Sequence, residues 1–208
     1  MKRLAILIRL LFLALFILLA IIGKPMLWMV IFGVSLLSTF LFGRFYCGYI
    51  CPMNTLMRPI EWLAERFKLP AKAAPSWLQK TSQPWIFLGL SVVLVVGLRM
   101  VARIQLPFLI VWLVIAGLVA LVYRSTIFHI YICPFSAPLR VLGGYTRHSQ
   151  QVSPEDCIAC GKCVTVCPSN AMTLQKPQRF ATIEPKACHQ CQDCQAVCPS
   201  AAIHYQPT

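Results

Sequence analysis

Cys157-Ile158-Ala159-Cys160-Gly161-Lys162-Cys163-Val164-Thr165-Val166-Cys167-Pro168 decides how the C-terminal part of this chain folds. Thirty-one residues further on, Cys188, Cys191, Cys194 and Cys198-Pro199 repeat the same spacing, C-x2-C-x2-C-x3-C-P. A loop this short can wrap three thiolates around three corners of one metal cluster. The fourth cysteine then opens a helix that leads to the other cluster, and proline ends the loop. Structural zinc uses four ligands in two C-x2-4-C pairs. Two runs of four cysteines, each closed by Cys-Pro, do not follow that pattern.

Over about residues 150–208 the chain resembles the two-cluster bacterial ferredoxins. The resemblance implies a small α+β domain with two [4Fe–4S] clusters and crossed ligation, the fourth cysteine of each run serving the other cluster. Cys157, Cys160, Cys163 and Cys198 would then hold one cluster, and Cys188, Cys191, Cys194 and Cys167 the other. The expected domain spans residues 148–208. About 60 residues are too few to fold on a hydrophobic core alone, and clusters can supply the staple. Short strands are expected at Met172–Leu174, Phe180–Ile183 and Ile203–Tyr205, with Pro177 and Gln178 in a turn. His189 is expected to be a solvated loop residue and not a ligand, because the cysteines already fill the site.

Upstream the composition changes. The chain of 208 residues is 58% hydrophobic and only 12% charged, against about 25% charged in a soluble domain. The apolar residues lie in four blocks, Leu4 to Ile22, Met26 to about Phe45, Trp85 to Val101 and Leu106 to about Val122. Each is long enough to cross, or nearly cross, a hydrocarbon core of about 30 Å. The first reads as an uncleaved helix, since its apolar stretch is too long for a signal peptide and no small-x-small site precedes Lys24. Gly23-Lys24-Pro25 and Ala102 to Gln105 are the expected tight turns. Residues 1–147 therefore form a membrane all-α domain of four transmembrane helices. Its middle loop, about 52–84, carries Leu56, Ile60, Leu63 and Phe67 at helical spacing. That spacing suits an amphipathic helix on the leaflet or against the bundle.

Charge sets the orientation. Residues 1–147 hold fifteen Lys/Arg against Glu61 and Glu65, whereas residues 148–208 hold four of each sign. The soluble part has no basic patch, which excludes nucleic acid as a partner. Twelve of the fifteen basic residues fall toward one side of the four spans and three (Lys24, Arg99 and Arg103) toward the other. By the positive-inside rule both termini and the middle loop face the cytoplasm of a bacterial inner membrane. Eleven cysteines without an extracellular disulfide pattern also suit a reducing compartment.

The membrane part repeats itself at an offset of 82, so that Tyr49-Ile50-Cys51-Pro52 falls on Tyr131-Ile132-Cys133-Pro134 and Arg58 on Arg140. It reads as a duplicated helix hairpin. Cys47-Gly48-Tyr49-Ile50-Cys51-Pro52 and His129-Ile130-Tyr131-Ile132-Cys133-Pro134 end the second and fourth spans. At these motifs the chain resembles the membrane ferredoxin-type proteins of the NapH, NosR and CcoG group, and its layout is most similar to NapH. The resemblance implies an electron-transfer subunit linking the quinone pool, or a soluble donor, to partner subunits of a redox complex. His129 stands where that group has cysteine. Cys47, Cys51, His129 and Cys133 are candidates for a third iron or iron–sulfur centre, or for plain helix-end packing. Arg44, Arg58, Arg124 and Arg140 would surround this face, attracting an anionic cluster domain or quinone intermediate, or only lipid head groups. Two other functions fit the residues, a membrane thiol–disulfide carrier and an anchor or assembly factor for an iron–sulfur enzyme. No nucleotide motif, flavin motif or catalytic triad is visible, so an enzyme acting alone is not expected. A periplasmic phosphatase fused at Thr208 is expected to be inactive, and a cytoplasmic reporter there active; the opposite pattern would reverse the topology.

Overall fold

The computed structural model describes residues 2–68, 74–80, 82–101, 103, 107–174 and 180–208. Most of the expected turn at 102–105, the start of the fourth span at Leu106, and Pro177 and Gln178 lie outside the described residues. The described chain divides into two compact units, one of residues 9–30 and 51–137 and the other of residues 1–8, 31–50 and 138–208.

Four apolar helices correspond to the four blocks: α1 (Lys2–Ile21), α2 (Leu27–Phe42), α4 (Gln83–Val101) and α5 (Phe108–Val122), with α3 (Pro52–Arg66) between the pairs. Leu4–Ile21 and Gln83–Val101 are long and apolar enough to cross a membrane, and only 11% of each is buried in the protein. A helix that is apolar all round and exposed suits lipid better than water. The helices α2 and α5 are shorter, at 16 and 15 residues. Sixteen residues rise about 24 Å, less than a full hydrocarbon core of about 30 Å. α2 stops short of the expected Phe45 because Gly43 takes a left-handed φ of +73° directly after Phe42.

In the first unit, aromatic rings and small residues fix the packing. Phe16 meets Trp28 edge-on at 5.2 Å. Trp112 of α5 contacts Phe87, Phe108 and Phe128, and its indole N–H donates to Ser91 Oγ at 3.2 Å. Cys51 precedes α3 in extended conformation, and Pro52 occupies its first turn, where a missing N–H costs nothing. Gly117 of α5 lets α3 approach, since a Cβ there would stand 3.5 Å from Ile60 and 3.8 Å from Leu56. The amphipathic helix therefore packs by Leu56 and Ile60 and leaves Trp62, Leu63 and Phe67 exposed at its far end. Glu61 accepts hydrogen bonds from Ser125 N and Oγ, at 3.2 and 2.8 Å, and these seat the short α6 (Ser125–Ile127).

The duplication at offset 82 is a repeat of backbone shape. Tyr46–Ile50 and Phe128–Ile132 are each one π-helical turn. Each is followed by an extended cysteine, Cys51 at φ −62°, ψ 117° and Cys133 at φ −64°, ψ 114°. The i→i−5 bond is explicit in the second, Cys133 N to Phe128 O at 2.8 Å.

The second unit holds the later part of α2, most of α7 (Ser136–Gly143) and the cysteine-rich segment. Two antiparallel ladders frame that segment. β1 (His148–Val152) pairs with β4 (Ile203–Pro207), and β2 (Met172–Thr173) pairs with β3 (Thr182–Ile183). The first two expected strands are present in shortened form, the third runs two residues further than expected, and β1 is an addition. The ladders obey the 31-residue repeat, because Met172↔Ile183 maps onto Ile203↔Val152. Left-handed residues repeat as well, Ala159 with Gln190, Gly161 with Gln192 and Asn170 with Ala201, within a few degrees for the first and last pairs. Helices α8 (Lys162–Thr165) and α9 (Asp193–Val197) follow the two loops and end just before Cys167 and Cys198, so the fourth cysteine closes a helix where it was expected to open one. The domain is a pseudo-two-fold α+β unit.

This domain caps α2. A helix leaves its last four carbonyls without intrahelical partners. Here the Arg147 N–H donates to Phe40 O at 3.0 Å, His148 Nδ1 meets Leu41 O at 3.3 Å, and the Tyr205 hydroxyl donates to Phe42 O at 3.1 Å. Beyond the cap, Gly48 touches the second cysteine loop so closely that a Cβ would lie 2.4 Å from His189 O, and 3.2 Å from Cys191 Cα. Both neighbours are backbone and cannot swing away. Gly48→Ala is therefore expected to destabilise this unit by about 1–3 kcal/mol through overpacking, measured as a lower Tm in detergent. Gly33→Ala on α2, with no atom within 4 Å of the new methyl, should leave Tm unchanged or slightly raised.

Candidate iron–sulfur centres

The two cysteine runs place their side chains through paired left-handed residues. Ala159 and Gly161 turn the first loop, and Gln190 and Gln192 turn the second. Each loop then enters a short helix whose first turn carries the third cysteine, Cys163 or Cys194. A glycine at Gly161 takes this φ freely, whereas Gln192 carries a strained backbone at the equivalent place.

Cys157, Cys160, Cys163 and Cys198 line one cavity, backed by Val152 and Ile203. Cys160 is exposed, Cys163 is buried and the other two are half-buried. The second set is deeper. Cys188, Cys191 and Cys194 are buried and Cys167 is half-buried. Cys167 packs against the small group of Ala171, Ala187 and Cys188. In each set, then, the fourth cysteine of one run lies with the first three of the other.

The thiol chemistry follows the burial. Burial pushes the Cys188 thiol up to about 12, with the nearby Cys191 and Cys167 adding to the rise and Arg44 opposing it. Burial likewise pushes Cys194 to about 12, helped by Cys188 and Cys167. Burial raises Cys163 too, against hydrogen bonds from backbone N–H groups. At Cys198 desolvation is the largest single effect, but hydrogen bonds from Ser200 and from the N–H groups of Ala202, Ser200 and Ala201 together outweigh it and lower the thiol. Thiols held near 12 are protonated at neutral pH, so binding iron must expel their protons. The half-buried Cys167 Sγ accepts the Ala171 N–H at 3.3 Å, as thiolate ligands of iron–sulfur sites commonly do. Eight thiols in two sets of four match the ligand number of two cubanes. Among the described residues no group of three or more His, Cys, Asp or Glu is gathered closely enough to hold a single metal ion.

The two loops differ in surroundings. Ile158 in the first loop is exposed, whereas His189 and Gln190 in the second are 1% and 3% exposed. The expectation of a solvated His189 is thus corrected. Cysteine spacing alone could not show that Gly48 would press on this loop. Gln190 ties the loop to β1, accepting from Gln150 N at 3.1 Å and donating to Ser149 Oγ at 2.8 Å. Gly43 makes room, since a Cβ there would stand 2.6 Å from Gln190 Nε2.

The four Cys-Pro motif candidates divide between the two units. Cys47 is buried in the cluster-bearing unit, 3.6 Å from an Arg44 nitrogen. Cys51, His129 and Cys133 belong to the helical unit. His129 Nε2 lies 3.2 Å from Asn54 Oδ1, and its ring meets Phe128 edge-on at 5.6 Å. Asn54 beside His129, and Gly48 against the second cysteine loop, are contacts that cysteine spacing did not reveal, whereas Arg44 was expected near the cluster domain from its charge. Gly43-Arg44 as a helix stop, and a glycine between two cysteines, were the available signals.

Two family models match the chain, a 4Fe–4S binding domain over residues 25–70 and a 4Fe–4S dicluster domain over residues 156–202. The first contains Cys47 and Cys51, and the second contains all eight cysteines of the two runs. An uncharacterized protein of Methanocaldococcus jannaschii is 24% identical over 69% of this chain and 58% of its own length. The methylamine utilization ferredoxin-type protein MauN of Methylobacillus flagellatus is 28% identical over 62% of this chain and 50% of its own length. The chain thus spans between half and three fifths of the curated relatives it matches. No solved structure matches it. Two matched 4Fe–4S cluster-binding segments, with eight thiols gathered in two sets, mark this chain as an iron–sulfur protein of ferredoxin type in those segments.

Proposed function

We propose that this chain is a membrane-anchored relay subunit that carries electrons between the quinone pool, or a soluble donor, and a partner redox enzyme. The observation that carries the reading is the cavity lined by Cys157, Cys160, Cys163 and Cys198, three residues of one run and the last of the other. Cys188, Cys191, Cys194 and Cys167 form the complementary set. Two [4Fe–4S] clusters, when bound, supply one-electron transfer.

The protein residues divide the remaining work. The buried loop around Cys188 and Cys191 shields its thiolates from water, with Gly48 and Gly43 closing over it. The exposed edge at Cys160 and Ile158 is open for a partner protein to approach. Four spans, with α2 and α5 as the shorter pair, anchor the chain in a bacterial inner membrane, with both termini in the cytoplasm. This topology rests on the apolar blocks and the basic bias of residues 1–147. The layout is of NapH type, and the chain works as part of a complex, not as an enzyme alone. The reading assigns no iron to Cys47, Cys51, His129 or Cys133.

Crossed ligation gives the decisive pattern. Cys167→Ala and Cys191→Ala should remove the same reduced-cluster EPR signal, and Cys198→Ala and Cys160→Ala the other. Each should lower iron per chain by about half and reduce folded yield. If Cys167→Ala instead removes the signal lost in Cys160→Ala, each run binds its own cluster and the reading fails.

A further inference from the structure

We propose that Arg44 sets the reduction potential of the cluster held by the buried cysteine loop, an inference that rests on the relay reading above. Arg44 follows the Gly43 stop of α2 and is 2% exposed. One guanidinium nitrogen donates to the carbonyls of Lys186 and Ala187, at 3.2 and 3.4 Å. These are the two residues before Cys188. The other terminal nitrogen lies 3.6 Å from Cys47 Sγ. Gly143 leaves space for the Arg44 stem, because a Cβ there would stand 3.0 Å from Cγ and 3.1 Å from Cδ. The guanidinium therefore has a built seat directly before the first ligand of the second run.

A charge in that seat acts on redox chemistry. Adding an electron to a thiolate-ligated cluster adds a negative charge, and a fixed buried cation stabilises the reduced form. Burial keeps the interaction from being screened by salt. The Arg44 charge already acts on Cys188, where it opposes the rise caused by burial. Neighbouring charges are arranged differently. Lys186 Nζ pairs with Glu184 at 2.7 Å, and both side chains are about half exposed. Lys162 beside the other cysteine set is exposed to solvent, where water and salt screen it. One terminal nitrogen of Arg44 serves both successive carbonyls and the other reaches the Cys47 sulfur, so the charge is held from two sides.

The test is an EPR-monitored redox titration of the full chain, isolated without oxygen in detergent, comparing native protein with Arg44→Gln, Arg44→Met, Arg44→Lys and Lys162→Gln. The two signals are assigned with Cys191→Ala and Cys160→Ala. Arg44→Gln should make the midpoint of the signal lost in Cys191→Ala more negative and leave the other unmoved. Arg44→Lys should stay close to native, and Lys162→Gln should move neither signal by as much. Arg44→Met replaces Arg44→Gln if the latter assembles poorly. If neither neutral variant holds the second cluster while Arg44→Lys does, the charge is required and the proposal stands. Equal shifts of both signals, no shift, or loss of the cluster in Arg44→Lys as well would overturn it. A native protein with no cluster signal at all would instead refute the relay reading.

Discussion

Cys163 and Cys194 pack with Met172, Ala181 and Ile203 at the centre of the C-terminal domain, in the places where a larger domain would put leucine or phenylalanine. That substitution governs the rest of the structure. About 60 residues cannot bury enough apolar surface to offset their conformational entropy. The domain closes its core with residues whose thiols, when they bind metal, cross-link it. The half-buried Cys157, Cys167 and Cys198 lie on the same core. Core packing and cofactor binding are therefore the same set of contacts, and the pseudo-two-fold repeat gives each half the same solution.

The second constraint is the end of α2. An apolar helix that stops at Phe42 presents carbonyls that need donors, and β1 and β4 provide them through Arg147, His148 and Tyr205. Gly43 and Gly48 then admit the second cysteine loop to backbone contact. Because of this, two loops with the same spacing acquire different environments. One is sealed beside a buried arginine, and the other keeps an exposed cysteine. A symmetric sequence repeat becomes an asymmetric pair of sites.

The cysteine runs were legible from spacing alone, and so were the four apolar blocks and both internal repeats, because each rests on residue types that admit few other structures. β1 was not legible. His148-Ser149-Gln150-Gln151-Val152 has no apolar alternation, and its pairing partner begins 51 residues further on, at Ile203. His189 was misjudged for a related reason, since its backbone packs against Gly48, far away in sequence. The equivalence of Cys47 and His129 suggested one shared site. The structure adds Asn54, whose oxygen lies 3.2 Å from His129 Nε2, a side chain that no spacing rule connects to it. The span lengths were read too long at α2, because the left-handed turn of Gly43 ends the helix before the apolar block does.

The central claim is that this chain holds two cubanes in crossed cysteine cages. Iron and acid-labile sulfide measured per chain, on protein isolated without oxygen, tests it most directly. The account predicts about eight of each. About four of each, unchanged after reconstitution with iron and sulfide, would contradict it, and so would zinc in place of iron.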